Sequence, residues 1–141
     1  MRIMAIDYGD AHTGIAISDP TGLLAGFTTV INAYRPDRVT GQIALLAKEH
    51  RVERLVLGHP INMDGTRGPR SEKAQAMRQL LKETTGLPVV LWDERRTTID
   101  AHQILMSSGK NAKKRKKVVD AVAASLILEG YLTYLKSHPE G

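Results

Sequence analysis

The sequence predicts an α/β fold, a mixed five-stranded sheet flanked by helices, with residues 1–141 forming one domain. Three observations lead there. The N-terminal quarter holds three apolar runs separated by glycine and proline turns. Segments of helical period then alternate with short apolar runs, the pattern of βαβ units. The chain closes on one long apolar helix.

Ile3 to Asp7 is a short apolar run ending in an acid, Gly14 to Ser18 is a second, and Leu23 to Ile31 a third. Gly9, Gly14, Pro20 and Gly22 punctuate them, so three strands joined by hairpin turns are expected, the neighbours antiparallel. After Pro36, which suits a first helical turn, Val39, Ile43, Leu46 and Ala47 recur on one helical stripe. Leu55 to Leu57 reads as a buried strand closed by Gly58 and Pro60. The polar loop NMDGTRGPRS leads into a second helix with Ala74, Met77 and Leu81 on one face and Gly86 past its end. Val89 to Trp92 is the last strand, with Trp92 expected as core. Thr98 to Met106 reads as a short helix, SSGKNAKKRKK as a loop, and Val118 to Leu135 as the long helix. The order is βββαβαβαα. Right-handed crossovers place the later strands parallel to the first.

Composition narrows the chemistry. Without cysteine there can be no disulfide, zinc–thiolate site or thiol nucleophile, which suits a reducing cytoplasm. No apolar stretch approaches the roughly 20 residues of a membrane span, so a soluble cytoplasmic protein is expected. The net charge is +5, and six basic residues lie between Lys110 and Lys117. Clustering of this kind points to a polyanionic partner.

Three acids fall at element ends that this architecture brings together: Asp7 ends the first strand, Glu94 follows the last, and Asp120 begins the long helix. Ligand sites in such sheets gather beyond the carboxyl ends of parallel strands. Asp120 heads a stripe through Ala123, Ala124, Ile127 and Tyr131, where an uncompensated carboxylate costs free energy. A divalent cation with oxygen ligands, Mg2+ or Mn2+, is a natural compensator. Two such ions about 4 Å apart support phosphodiester hydrolysis. The plainer reading makes Asp120 a helix cap and Asp93 and Glu94 turn residues. Gly9, directly after the strand-end acid, would let a phosphate approach the backbone, or would simply serve a hairpin turn.

Four segments, DYGDAHTGIAISD, GHPINMDGT, WDERRTT and KKVVDAVAASLIL, make the chain resemble the YqgF family, also called RuvX, of RNase H-like nucleases. The likeness runs from about Ile3 to Leu135. It implies a sheet of order 3-2-1-4-5, a magnesium-dependent centre at Asp7, Glu94 and Asp120, and action on the 5′ end of precursor 16S rRNA. Members have also been described as Holliday-junction resolvases. The family usually carries arginine at the position of His12 and an aliphatic residue at that of His59. Imidazole cannot copy the bidentate grip of a guanidinium on phosphate.

Around this centre Gly9, His12, Asn62, Arg67, Arg95, Thr97, Lys113, Lys114, Lys116 and Lys117 are the candidate substrate contacts. Each has a plainer reading. His12 and His59 are expected in surface loops, Asn62 and Arg67 in a turn, Thr97 at a helix cap, and the lysines in a solvated loop beside Asp120. A metal-dependent nuclease acting on structured RNA is the first reading, with branched DNA as the close alternative. A non-catalytic RNA-binding ribosome-assembly factor is a further one. DYGDAHTG also suits the phosphate loop of two-domain phosphotransferases, but those close a second such domain over the nucleotide. A monomer or weak homodimer is expected.

Overall fold

In the first two strands large and small side chains alternate, and this decides how the layers stack. In β1 (Ile3–Asp7) and β2 (His12–Ser18), Met4, Ile6, Ile15 and Ile17 point to one side of the sheet. Ile3, Ala5 and Ala16 point to the other. In this computed structural model the described residues are 1–19, 25–60, 68–93 and 112–138, with backbone alone for residue 25 and residues 112–120.

β3 (Ala25–Asn32), β4 (Arg54–His59) and β5 (Val89–Asp93) complete a five-stranded sheet of order β3-β2-β1-β4-β5. β2 is antiparallel to both β1 and β3, while β4 is parallel to β1 and to β5. The architecture and strand order agree with expectation. Two helices, α1 (Pro36–Glu49) and α2 (Pro69–Thr85), begin with proline in their first turns. They bury Val39, Ile43, Ala74, Met77 and Leu81 against the large-residue face. Gly86 ends α2 in the left-handed region at φ 70°, where a side chain would be strained.

The opposite face belongs to α3 (Ala112–Ser137). Ala124, Ile127, Leu128 and Tyr131 of α3 join Ile3, Ala5, Ala16, Val56 and Trp92 in a second core. Ala5, Ala16 and Ala124 are each 0% exposed, so the helix comes down on the sheet where side chains are smallest. Gly130 meets Trp92 in the same way: a Cβ there would lie 3.1 Å from Trp92 Cζ2. Trp92 is core, as expected.

The structure corrects several boundaries. α3 starts at Ala112, not Val118, so Lys113, Lys114, Lys116 and Lys117 lie on a helix and not in a loop. Ala, Lys and Arg are strong helix formers, and no breaker separates Ala112 from the apolar stripe. Asp120 therefore lies more than two turns inside α3, which excludes it as the helix cap. β2 begins at His12 and β4 runs on to His59, so both histidines are strand residues and not loop residues. β3 extends to Asn32, one residue past the expected Ile31, and its expected start at Leu23 lies outside the described residues. The helix expected over Thr98–Met106 also lies outside them.

Packing at Ala124 yields a test. Ala124→Leu inserts three heavy atoms between α3 and the sheet and should destabilise the fold by about 1–3 kcal/mol. Denaturant unfolding measures this, and an unchanged midpoint would show that α3 does not approach the sheet closely there.

Candidate active site

Strand direction delivers the chemistry to one edge of the sheet. β1, β3, β4 and β5 all run toward this edge and β2 runs away from it. Asp7, Asn32, His59 and Asp93 are thus the last residues of their strands, and His12 is the first of its own.

The pleat divides them between the two faces. Asp7 follows Ile3 and Ala5 on the α3 side, and it is half-buried. His12 follows the parity of Gly14 and Ala16, and His12 pairs with Asn32 across the β2–β3 ladder, so both stand on Asp7's side. Their side chains meet, His12 Nδ1 lying 2.6 Å from Asn32 Oδ1. With Nδ1–H donating to that carbonyl, the imidazole is held through one ring nitrogen, and the bond does not use Nε2. Gly9 closes the turn beneath it, and a Cβ there would collide with the His12 carbonyl oxygen. Only glycine lets the chain turn this tightly after Asp7.

His59 and Asp93 share the parity of Leu57 and Leu91 and stand on the α1/α2 side. His59 is 6% exposed, and its Nε2 lies 2.6 Å from Ser71 Oγ in the first turn of α2. Its described bond ties the end of β4 to α2. Asp93 lies on the face opposite Asp7, which separates it from a centre built around Asp7.

On the α3 side, position 120 lies one turn before Ala124, on the stripe that faces the sheet. Positions 113, 116 and 117 continue the same stripe toward the helix start, and position 114 lies to its flank. Glu94, Asn62, Arg67, Arg95 and Thr97 lie outside the described residues. Among the described residues no three acids or histidines come together as a metal cluster. The structure thus sets Asp7, His12 and the stripe of α3 on one face of the sheet, with Gly9 in the turn between β1 and β2.

Two participants escaped the sequence reading. Asn32 reads locally as a strand end, and only the β2–β3 register reveals it beside His12. Tyr8, on the α1/α2 side, lines a cavity with Arg70 and Lys73. Burial, then the carboxylate of Asp10, pushes its phenol above the ordinary 10.0, and Lys73 partly opposes this.

Residues 1–134 match the family model described as "RuvX: Holliday junction resolvase". The chain belongs to the RuvX family. A relative from Halothermothrix orenii is 44% identical over 134 residues, covering 95% of this chain and 96% of that one. One from Bacillus subtilis is 43% identical over 137 residues, covering 96% and 99%. Both bear the name "Putative pre-16S rRNA nuclease". Among solved structures, Thermus thermophilus RuvC in complex with a Holliday junction substrate aligns with a TM-score of 0.60 at 13% identity, covering 96% of each chain. Fowlpox virus resolvase with Holliday junction DNA aligns at 0.53 and 11% identity, covering 98% of this chain and 99% of that one. At such identities the likeness is one of fold. Among the described residues no helix is long and apolar enough to cross a membrane.

The raised phenol gives this RuvX-family chain a pH signature. A Tyr whose folded pKa exceeds its unfolded value contributes no penalty below about pH 10 and loses stability as pH rises through the folded value. Tyr8→Phe should therefore flatten the alkaline limb of the stability–pH curve and leave neutral pH nearly unaltered. Superimposable limbs would remove the buried phenol from the account.

Proposed function

We propose that this chain is a metal-dependent nuclease, a single domain that hydrolyses phosphodiester bonds of structured nucleic acid and trims the 5′ end of precursor 16S rRNA. The observation that carries the reading is the common face: Asp7 at the end of β1, His12 and Asn32 beside it, and the stripe of α3 that includes position 120. The names of the curated relatives support the rRNA substrate. A branched-DNA substrate is the second reading, favoured by the description of the family model and by the titles of the fold neighbours.

Asp7, Glu94 and Asp120 would hold the metal. Carboxylate oxygens suit a hard cation, and Asp7 stands half-buried at an open edge where one can reach it. Mg2+ or Mn2+, when bound there, would supply Lewis acidity for phosphodiester hydrolysis.

The chain's own residues do the rest. Gly9 exposes backbone beside Asp7, so a phosphate can approach without meeting a side chain. His12, fixed through Nδ1 by Asn32, keeps Nε2 for a contact to a phosphate oxygen. Lys113, Lys116 and Lys117 follow the stripe of position 120 toward the α3 start, and with Lys114 they attract the polyanionic strand over this edge. Asn62, Arg67, Arg95 and Thr97 complete the proposed substrate contacts.

Asp7→Asn keeps shape and removes a metal-binding charge. It should lower cleavage of precursor rRNA by orders of magnitude while leaving the fold intact. Asp120→Asn should lose much of the magnesium-induced rise in melting temperature, with metal-free stability equal to the parent or higher, because one of several like charges is gone. Thermal melts across a magnesium titration and end-mapping of cleaved RNA check both. Parent-rate cleavage by Asp7→Asn, or an undiminished magnesium shift in Asp120→Asn, would contradict the assignment.

A further inference from the structure

We propose that a second nucleic-acid subsite lies on the α1/α2 side of the same edge: a trough that binds a single-stranded stretch leading away from the cut, stacking a base on Tyr34 and pairing phosphates with Arg70 and Lys73. The proposal deepens the nuclease reading above and rests on it for the location of the cut.

Two cavities make the trough. One, of about 60 Å3, lies against Gly9, Gly58, Pro60 and Arg70. The other, of about 360 Å3, lies against Tyr34, Pro36, Met77 and Leu80. Tyr8, Asp10 and Lys73 line both, so the two are neighbours along one side of the edge. One end is cationic and the other flat and apolar, the combination a nucleotide presents in reverse.

The apolar end is defined by side chains that the fold leaves outside. Tyr34 is 80% exposed, and Leu80, at 37%, lines the same groove. An aromatic ring exposed to that degree gains nothing from the core, and every base offers it a π-face. In a chain with only 4% aromatics, a surface tyrosine over a groove is the most distinctive feature of this face.

The cationic end lies where α2 begins. Arg70 is exposed in the first turn of α2, where the positive end of the helix dipole adds to the guanidinium. Among the described residues that line either cavity, Asp10 is the only acid. It pairs with Lys73 at 3.1 Å, with the two side chains 83% and 59% exposed. A pair so exposed is weak, so Lys73 can exchange the carboxylate for a phosphate oxygen.

The position links this trough to the cut. Gly9 lines the smaller cavity and follows Asp7 by two residues, while Asp7 points to the α3 side. A strand crossing the edge at Gly9 places one phosphate by Asp7 and the next ones by Lys73 and Arg70. Bases in a duplex have their faces covered by stacking, so the Tyr34 end selects single-stranded chain.

The test uses the full-length Asp7→Asn chain in chelator, with fluorescence anisotropy of a short labelled single-stranded RNA and of the same sequence as a blunt duplex. Tyr34→Ala should weaken single-strand binding about 5- to 100-fold, and Tyr34→Trp should restore it with quenching of the new indole on binding. Arg70→Gln combined with Lys73→Gln should weaken binding and flatten its salt dependence. Leu45→Ser, at a position 62% exposed on α1, should change nothing. Duplex affinity should hold for the Tyr34 variants, and unaltered melting temperatures confirm their fold. The trough is overturned by single-strand affinity that survives Tyr34→Ala and the double variant, by equal losses for duplex, or by a Tyr34 effect on self-association alone. Cleavage by the unsubstituted chain is scored separately. Its absence beside trough-dependent binding would sink the nuclease reading and not the trough, while cleavage with indifferent trough variants would do the opposite.

Discussion

Close packing of α3 on the small-residue face of the sheet is the constraint on which the rest depends. Ala5, Ala16 and Ala124 meet there without exposed surface, and Gly130 lies against the Trp92 ring. Every methylene added at these positions would lift the helix. A lifted helix would carry position 120 and the lysines preceding it away from the end of β1. The same alanines that look unremarkable as core therefore set the separation between the two halves of the proposed centre. Leu128, Ile127 and Tyr131 supply the apolar area that holds the helix down.

Strand direction adds a second restriction. Because β2 alone runs against the other four, its first residue arrives at the edge where they end. Two histidines reach that edge with opposite fates. His12 is held by Asn32 on Asp7's face, and His59 is buried against Ser71 on the other. The pleat, not the residue type, separates them. It also divides the edge into the face proposed for metal and phosphate and the face proposed for base and backbone.

Much of this was legible in the sequence. The apolar runs ending at Asp7, closing at Gly58 and including Trp92 located β1, β4 and β5, because a buried strand leaves a continuous apolar signature. The stripes of Val39–Ala47 and Ala74–Leu81 located α1 and α2, since only one face of each is buried. The start of α3 was not legible, because its first turns carry lysines that read as a solvated loop by composition yet favour helix by propensity. His59 looked exposed because its type is polar, and no local pattern announces a partner such as Ser71. Asn32 and Tyr34 escaped for a related reason: their neighbours come from other strands and helices, and register is a tertiary quantity. Asp7 was legible as a candidate, and so was the face of position 120, because both follow from periodicity alone.

The most direct test of the account is the position of a bound ion. Crystals grown with Mn2+ and measured at an anomalous wavelength would locate it without reference to activity. The account predicts an anomalous peak at coordination distance, about 2.0–2.3 Å, from an Asp7 carboxylate oxygen, on the α3 side of the β1 edge. A fully occupied peak elsewhere on the chain, or none at Asp7 under saturating Mn2+, would contradict the claim that packing of α3 on the sheet builds a metal centre.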